Sequence, residues 1–358
     1  KNPVFGHGLT LWNQEMQAKY QEFLGWAPGH AHSQFFQTLG ESGYVGVIGL
    51  LLYTGILLYI SIRFAKETKG FILVLFSFLL IRGITEPVFV NTTDNVAFFI
   101  HFMIITFIMA IIVDSNRQKQ KLLLPQVEEP MEKLQFSLKN LKKVNLLSLL
   151  IYVFAVAGII NAFLDYRGFA LPIIPLPFGH GLLLLLAGMT GLISLWMIFR
   201  GVITKEKFQS KQGVILVGAS LLFIVAGILA SFFGYRPELK EMIFVELLLF
   251  FALYFAKGMD LPQFGEMVKK VLLIFVYGSL IMAIVVPSWS FKFDYDQGLF
   301  DFLNFRLYGI TTNPNNTASL FFIYLLFEMQ FPTKSKYRAA NIGVTLVLLF
   351  LTQSKTVW

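Results

Sequence analysis

Three short stretches hold residues that could do chemistry. The first is Gly29-His30-Ala31-His32-Ser33-Gln34, where two histidines flank one alanine. Histidine exchanges protons near neutral pH and is the commonest general base, so His30 and His32 are candidates to activate a hydroxyl. The second runs from Asp301 to Asn316 and contains Arg306-Leu307-Tyr308-Gly309 followed by Asn313-Pro314-Asn315-Asn316. An arginine in that setting can grip a phosphate as a fork while stacking on aromatics. Asn-Pro-Asn-Asn offers a turn and a polar cap for a following helix. The third is Arg82-Gly83-Ile84-Thr85-Glu86-Pro87, whose two charges are spaced i,i+4 and could pair. Plainer readings stand beside each: interfacial histidines, an aromatic anchor, a structural ion pair. A metal site is not expected, because the same segments carry no H-x-x-x-H and no carboxylate cluster with ligand spacing. The absence of cysteine excludes thiolate zinc, disulfides and a cysteine nucleophile.

These stretches must be positioned by apolar elements. Of the 358 residues, 56% are hydrophobic and 14% charged, against about a quarter charged in soluble domains. The expected fold class is therefore all-α, a polytopic transmembrane bundle of about ten spans. The runs are Tyr44–Ile62, Gly70–Val88, Ala97–Val113, Val144–Leu164, Gly181–Phe199, Gly213–Phe233, Ile243–Ala256, Val271–Val286, Ala318–Phe331 and Ile342–Leu351. Gly158, Gly188, Gly218 and Gly227 inside them suit close helix packing. Glu246 and Glu328 fall within runs and are expected to face the interior. Residues 114–143 carry seven Lys/Arg and two prolines and read as a cytoplasmic linker, with an amphipathic helix along Met131–Leu141.

The net charge of +8 sits mostly in connections between runs, as a topology signal rather than a nucleic-acid footprint. Alternate connections hold 20 and eight basic residues. The positive-inside rule puts the richer set in the cytoplasm. Residues 1–43 and the loop around Ser290–Asn316 then share the outer side.

Together these residues resemble the O-antigen ligase/O-antigen polymerase family of lipid-linked glycan transferases. His32 and Gly43 match the family's His followed by ten residues and a Gly, and Phe5-Gly6-His7-Gly8 looks like its upstream Gly-x-Gly. Thr85-Glu86-Pro87 also looks like its C-terminal region. Arg306-Leu307-Tyr308-Gly309, Asn313-Pro314-Asn315 and Thr352-Gln353-Ser354-Lys355 resemble motifs of its earlier half, with Lys355 where arginine is usual. The order is inverted: residues 1–113 look like a C-terminal half, and 144–358 like an N-terminal half. A chain cut from a tandem protein is one explanation, and a permuted bundle is the other. The first is the expectation here, and it assigns His32 and Arg306 to different active sites.

The resemblance implies a glycosyltransferase of surface polysaccharide biosynthesis in the bacterial cell envelope, needing no cofactor or metal. It would move a glycan from a polyprenyl diphosphate carrier to a glycan or lipid acceptor hydroxyl, as ligase or polymerase. Its place would be the cytoplasmic membrane, with the site facing the non-cytoplasmic side and the lipid bilayer as partner. His32 would be catalytic; Arg306, His30, Asn313, Asn315 and Arg82 would bind substrate. A lipid-linked sugar transporter or flippase, and a catalytically incomplete tandem fragment, are the competing readings.

Overall fold

The computed structural model describes residues 2–9, 11, 14–24, 31–89, 95–123, 146–164, 174–203, 211–236, 242–253, 261–293, 300, 302–311, 313–334 and 336–354. Each of the ten apolar runs overlaps a helix: α2 (Gln34–Arg63), α3 (Phe71–Thr85), α4 (Asn95–Leu123), α5 (Leu146–Leu164), α6 (Leu176–Ile203), α7 (Lys211–Phe233), α8 (Met242–Leu253), α9 (Leu261–Val285), α11 (Pro314–Gln330) and α12 (Arg338–Thr352). The order is completed by α1 (Gln14–Leu24) in the polar N-terminal segment and a single turn, α10 (Pro287–Ser290). Among the described residues the fold is all-α apart from one small hairpin, β1 (Phe291–Phe293) with β2 (Phe305–Leu307). Among the described residues, five stretches are long and apolar enough to cross a membrane: Gln34–Arg63, Val96–Ser115, Pro177–Ile203, Lys211–Phe233 and Leu261–Val285.

Helix α4 is the centre of the packing. Its apolar stretch is 94% buried, and it is apolar all round, as a helix surrounded by others must be. Phe98 meets Phe154 of α5 at 5.3 Å, and Phe107 meets Phe327 of α11 at 4.9 Å. The early helices do not form a body of their own. Helix α2 packs along α7, α3 touches α11, and α4 touches α5, α7, α9 and α11. Residues 1–113 and 144–358 therefore interlock in one bundle. Helix α4 continues through Leu123, so the linker expected at 114–143 begins as helix; Met131–Leu141 lies outside the described residues.

Helix α2 begins ten residues earlier than the apolar run suggested, because Gly43 (φ 59°, ψ −154°) joins a polar first segment to the apolar one across a kink. Residues 2–8 sit in that kink. His7 and Gly8 donate backbone N–H to the carbonyls of Gly40 and Glu41, and Tyr44 and Val45 donate to Pro3 and Val4. Among the helical glycines, Gly158 and Gly227 are closely packed, against Val96 and Ile243, while Gly188 and Gly218 face no atom within 4 Å. Close packing thus explains two of the four.

At the far end of α11 from its N-terminus, Glu328 is buried and answered on all sides. Arg338 Nε lies 3.0 Å from one oxygen and Lys269 Nζ 3.5 Å from the other. Thr333 donates its N–H and its hydroxyl, each at 2.7 Å. Lys269, only 2% exposed, also reaches Glu266 at 2.7 Å and donates to the Phe331 carbonyl. Glu246, in α8, is also buried, as expected.

Candidate functional site

The start of α2, the end of α3, the start of α11 and the end of α12 converge at the opposite end of the bundle. His32 directly precedes α2 in the left-handed backbone region (φ 50°), a conformation histidine tolerates better than most residues and that clusters at functional sites. Ser33 is the N-cap of α2. At the first helical position, buried Gln34 turns its Oε1 to the backbone N–H groups of Val88 and Phe89, at 2.7 and 2.9 Å. That clamp ties the segment after α3 to the start of α2, and it sets Glu86 beside His32. The Glu86 carboxylate lies 3.8 Å from His32 Nδ1.

The other side of Glu86 faces the far end of the chain. Its Oε1 accepts from the Asn315 amide at 3.1 Å. Asn315 Oδ1 in turn accepts from Arg306 at 2.6 Å and from the Ser354 hydroxyl at 3.1 Å. Arg306 Nε donates to the Thr352 carbonyl at 2.8 Å. Next to this string, buried Arg82 donates to the side chain of Asn316. His32, Glu86, Asn315 and Arg306 therefore form one continuous polar group. His32 and Arg306, expected in different active sites, stand in the same cluster, with only two side chains between them. The physical reason is the interlocked bundle, which carries α11 against α3 and α12 against β2.

Local sequence explains the positioning. Asn313 caps α11 by accepting from Asn315 N–H at 2.8 Å, with Pro314 at the first helical position, the arrangement that Asn-Pro-Asn favours. Asn313 thus acts as a cap here. Gln353, left-handed at φ 49°, donates its amide to the carbonyls of Leu303 and Phe305. The Thr352-Gln353-Ser354 turn therefore holds the strand carrying Arg306 as well as its guanidinium. Opposite Arg306 in the hairpin stands Lys292. Like charges facing across two strands are normally avoided, and this pair sets two basic residues at matching positions of the hairpin.

Of the remaining histidines, His7 is held below its ordinary value, first by burial and then by Arg236, and its ring packs near Tyr235 at 5.7 Å. His101 is buried in α4, 2.6 Å from the Tyr53 hydroxyl, and His180 is exposed on α6. His30 lies outside the described residues. Among the described residues no group of three or more His, Asp or Glu could hold a metal ion.

Sequence reasoning missed three contributors. Glu86 was read as a partner for Arg82 and as part of the Thr85-Glu86-Pro87 resemblance, not as a site residue; its position just before Pro87, where helices usually end, is the signal that it leaves the helix face. Gln34 and Ser354 carry no signal of their own beyond adjacency to His32 and to the Thr-Gln-Ser stretch. No family model, curated protein or solved structure matches this chain.

The geometry supplies an exposed imidazole backed by a carboxylate, and a fixed guanidinium with a second cation across the hairpin. His32 keeps 53% of its side chain accessible, Glu86 only 11%. Such an arrangement can take a proton from a hydroxyl while binding an anion a short distance away.

Proposed function

We propose that this chain is a membrane glycosyltransferase that transfers a glycan from a polyprenyl diphosphate to an acceptor hydroxyl, acting as ligase or polymerase in surface polysaccharide assembly. The observation that carries the reading is the single polar group joining His32 to Arg306 through Glu86 and Asn315. The resemblance of those same stretches to the O-antigen ligase/polymerase family points to the substrate class.

In this reading the bundle sits in the bacterial cytoplasmic membrane, crossed by the five long apolar helices with the shorter apolar helices packed among them. The site lies at the end of α11 opposite Lys269 and Arg338, which by the positive-inside rule is the non-cytoplasmic face. His32 Nε2 accepts the proton of the acceptor hydroxyl as its oxygen bonds to the anomeric carbon. The bond from that carbon to the diphosphate oxygen breaks, and the polyprenyl diphosphate leaves with its electron pair. Arg306 and Lys292 balance the growing phosphate charge. Arg82, buried against Asn316, fixes the start of α11 and adds to the positive field.

The test is transfer by the purified chain in lipid nanodiscs, with a polyprenyl-diphosphate-linked oligosaccharide and a soluble glycan acceptor. Lengthened acceptor is expected from wild type and not from His32→Ala. Undiminished transfer by a folded His32→Ala variant would remove His32 from the chemistry. Donor movement across the bilayer without any glycosidic product would favour a flippase.

A further inference from the structure

A carboxylate that touches both halves of the site has a task beyond pairing with its neighbour. Glu86 leaves α3 at the residue before Pro87, with extended backbone (φ −150°, ψ 145°), and its side chain is almost wholly enclosed. One oxygen accepts from Asn315 at 3.1 Å, and the other is 3.8 Å from His32 Nδ1. A carboxylate offers acceptors in two directions at once, so it can serve both an amide and an imidazole N–H.

We propose, building on the glycosyl-transfer reading, that Glu86 is the positioning residue of the site. It fixes His32 in the tautomer that carries its proton on Nδ1, which leaves Nε2 as the basic atom facing the acceptor. Through Asn315 the same carboxylate sets the guanidinium of Arg306, so base and phosphate clamp are held in one frame. When Nε2 takes up the hydroxyl proton, the resulting imidazolium stands beside a negative charge. The 3.8 Å separation is longer than a hydrogen bond, and such contacts tighten when substrate is bound.

Glu86→Gln separates this role from bulk. It keeps the size of the side chain but has one carbonyl oxygen, enough for Asn315 or His32 and not for both. In nanodiscs, with transfer measured against donor concentration, kcat is expected to fall about 100-fold, the scale of a mispositioned general base, while KM for the donor changes less than about twofold. Glu86→Asp, which retains both oxygens, is expected to recover part of kcat. Nitrogen-15 spectra of labelled histidine in full-length protein read the tautomer without any need for activity; a His32→Gln spectrum assigns the signal. The Nδ1–H form is expected in wild type and a mixture of tautomers in Glu86→Gln. A tautomer unchanged by Glu86→Gln, or a kcat like wild type in an active preparation, would overturn the proposal. Loss of transfer in wild type with the tautomer shift intact would count against the glycosyl-transfer reading alone.

Discussion

Replacing Gly43 with alanine tests why a glycine follows the candidate base at that spacing. At φ 59° and ψ −154° the backbone occupies a region essentially reserved for glycine, and a side chain there costs on the order of 1–3 kcal/mol. An added Cβ would also lie 2.5 Å from the Pro3 carbonyl oxygen, 2.6 Å from that of Val4 and 2.6 Å from the Gly6 nitrogen. All three are backbone atoms and cannot swing aside. Relieving the clash means lifting residues 2–8, which breaks the Tyr44 and Val45 hydrogen bonds at about 1 kcal/mol each. The expected loss is about 3–5 kcal/mol, read by unfolding of the purified protein in mixed micelles on titration with denaturing detergent. Gly55→Ala in the same helix is the control. It is exposed, with no atom within 4 Å of a new Cβ, and should be neutral or gain about 0.5–1 kcal/mol. Equal unfolding curves for the two variants would refute the reasoning and return Gly43 to the status of an ordinary helical glycine.

Other perturbations probe other parts. Lys269→Met leaves Glu328 buried with one cation fewer and frees the Phe331 carbonyl, so a loss of about 3 kcal/mol is expected in the same unfolding assay; a change under about 0.5 kcal/mol would show the cluster to be dispensable. Lys292→Ala removes the charge opposite Arg306 and should raise KM for the lipid diphosphate several-fold while leaving melting unchanged; an unaltered KM would place the diphosphate elsewhere. Glu15 is drawn from 4.5 to about 2, first by its hydrogen bond to Arg236 and then by Lys19. Its folded value is depressed, so its tether of α1 to the turn after α7 is fully present above 4.5 and is lost as pH falls toward 2. Hydrogen exchange across Gln14–Leu24 should therefore be flat from neutral pH to about 5 once corrected for intrinsic rates, and protection should fall below that; Arg236→Ala should expose the helix at neutral pH.

The apolar runs made the helices legible, because burial in lipid or in protein demands the same long hydrophobic stretches. What they hid was α2's polar start, whose Gln34, Gln37, Thr38 and Glu41 are buried although their types suggest a surface loop. Gln34 accepts from the remote Val88 and Phe89 N–H groups and donates to Thr38, and Gln37 accepts from the Ala31 N–H. The site residues His32, Arg82, Arg306, Asn313 and Asn315 were all visible as types in suggestive spacing. Their meeting was not, because hydrophobic periodicity states which face of a helix is buried and not which helix covers it. Inverted motif order therefore read as two incomplete units, whereas the contacts of α2 with α7 and of α3 with α11 bring the ends together. Glu86 was hidden for a local reason: i,i+4 spacing offers Arg82 as its partner, and that spacing does not reveal that the turn into Pro87 also brings it to His32 and Asn315.

The central claim is that the two ends of the chain build one centre, and a double-mutant cycle between Glu86 and Asn315 tests it most directly. Glu86→Ala, Asn315→Ala and the double variant would be unfolded under identical conditions. Two residues sharing a charge-assisted hydrogen bond should show a coupling energy of about 1.5 kcal/mol. Additivity within about 0.5 kcal/mol would mean that the halves do not meet at these residues, and would contradict a shared centre.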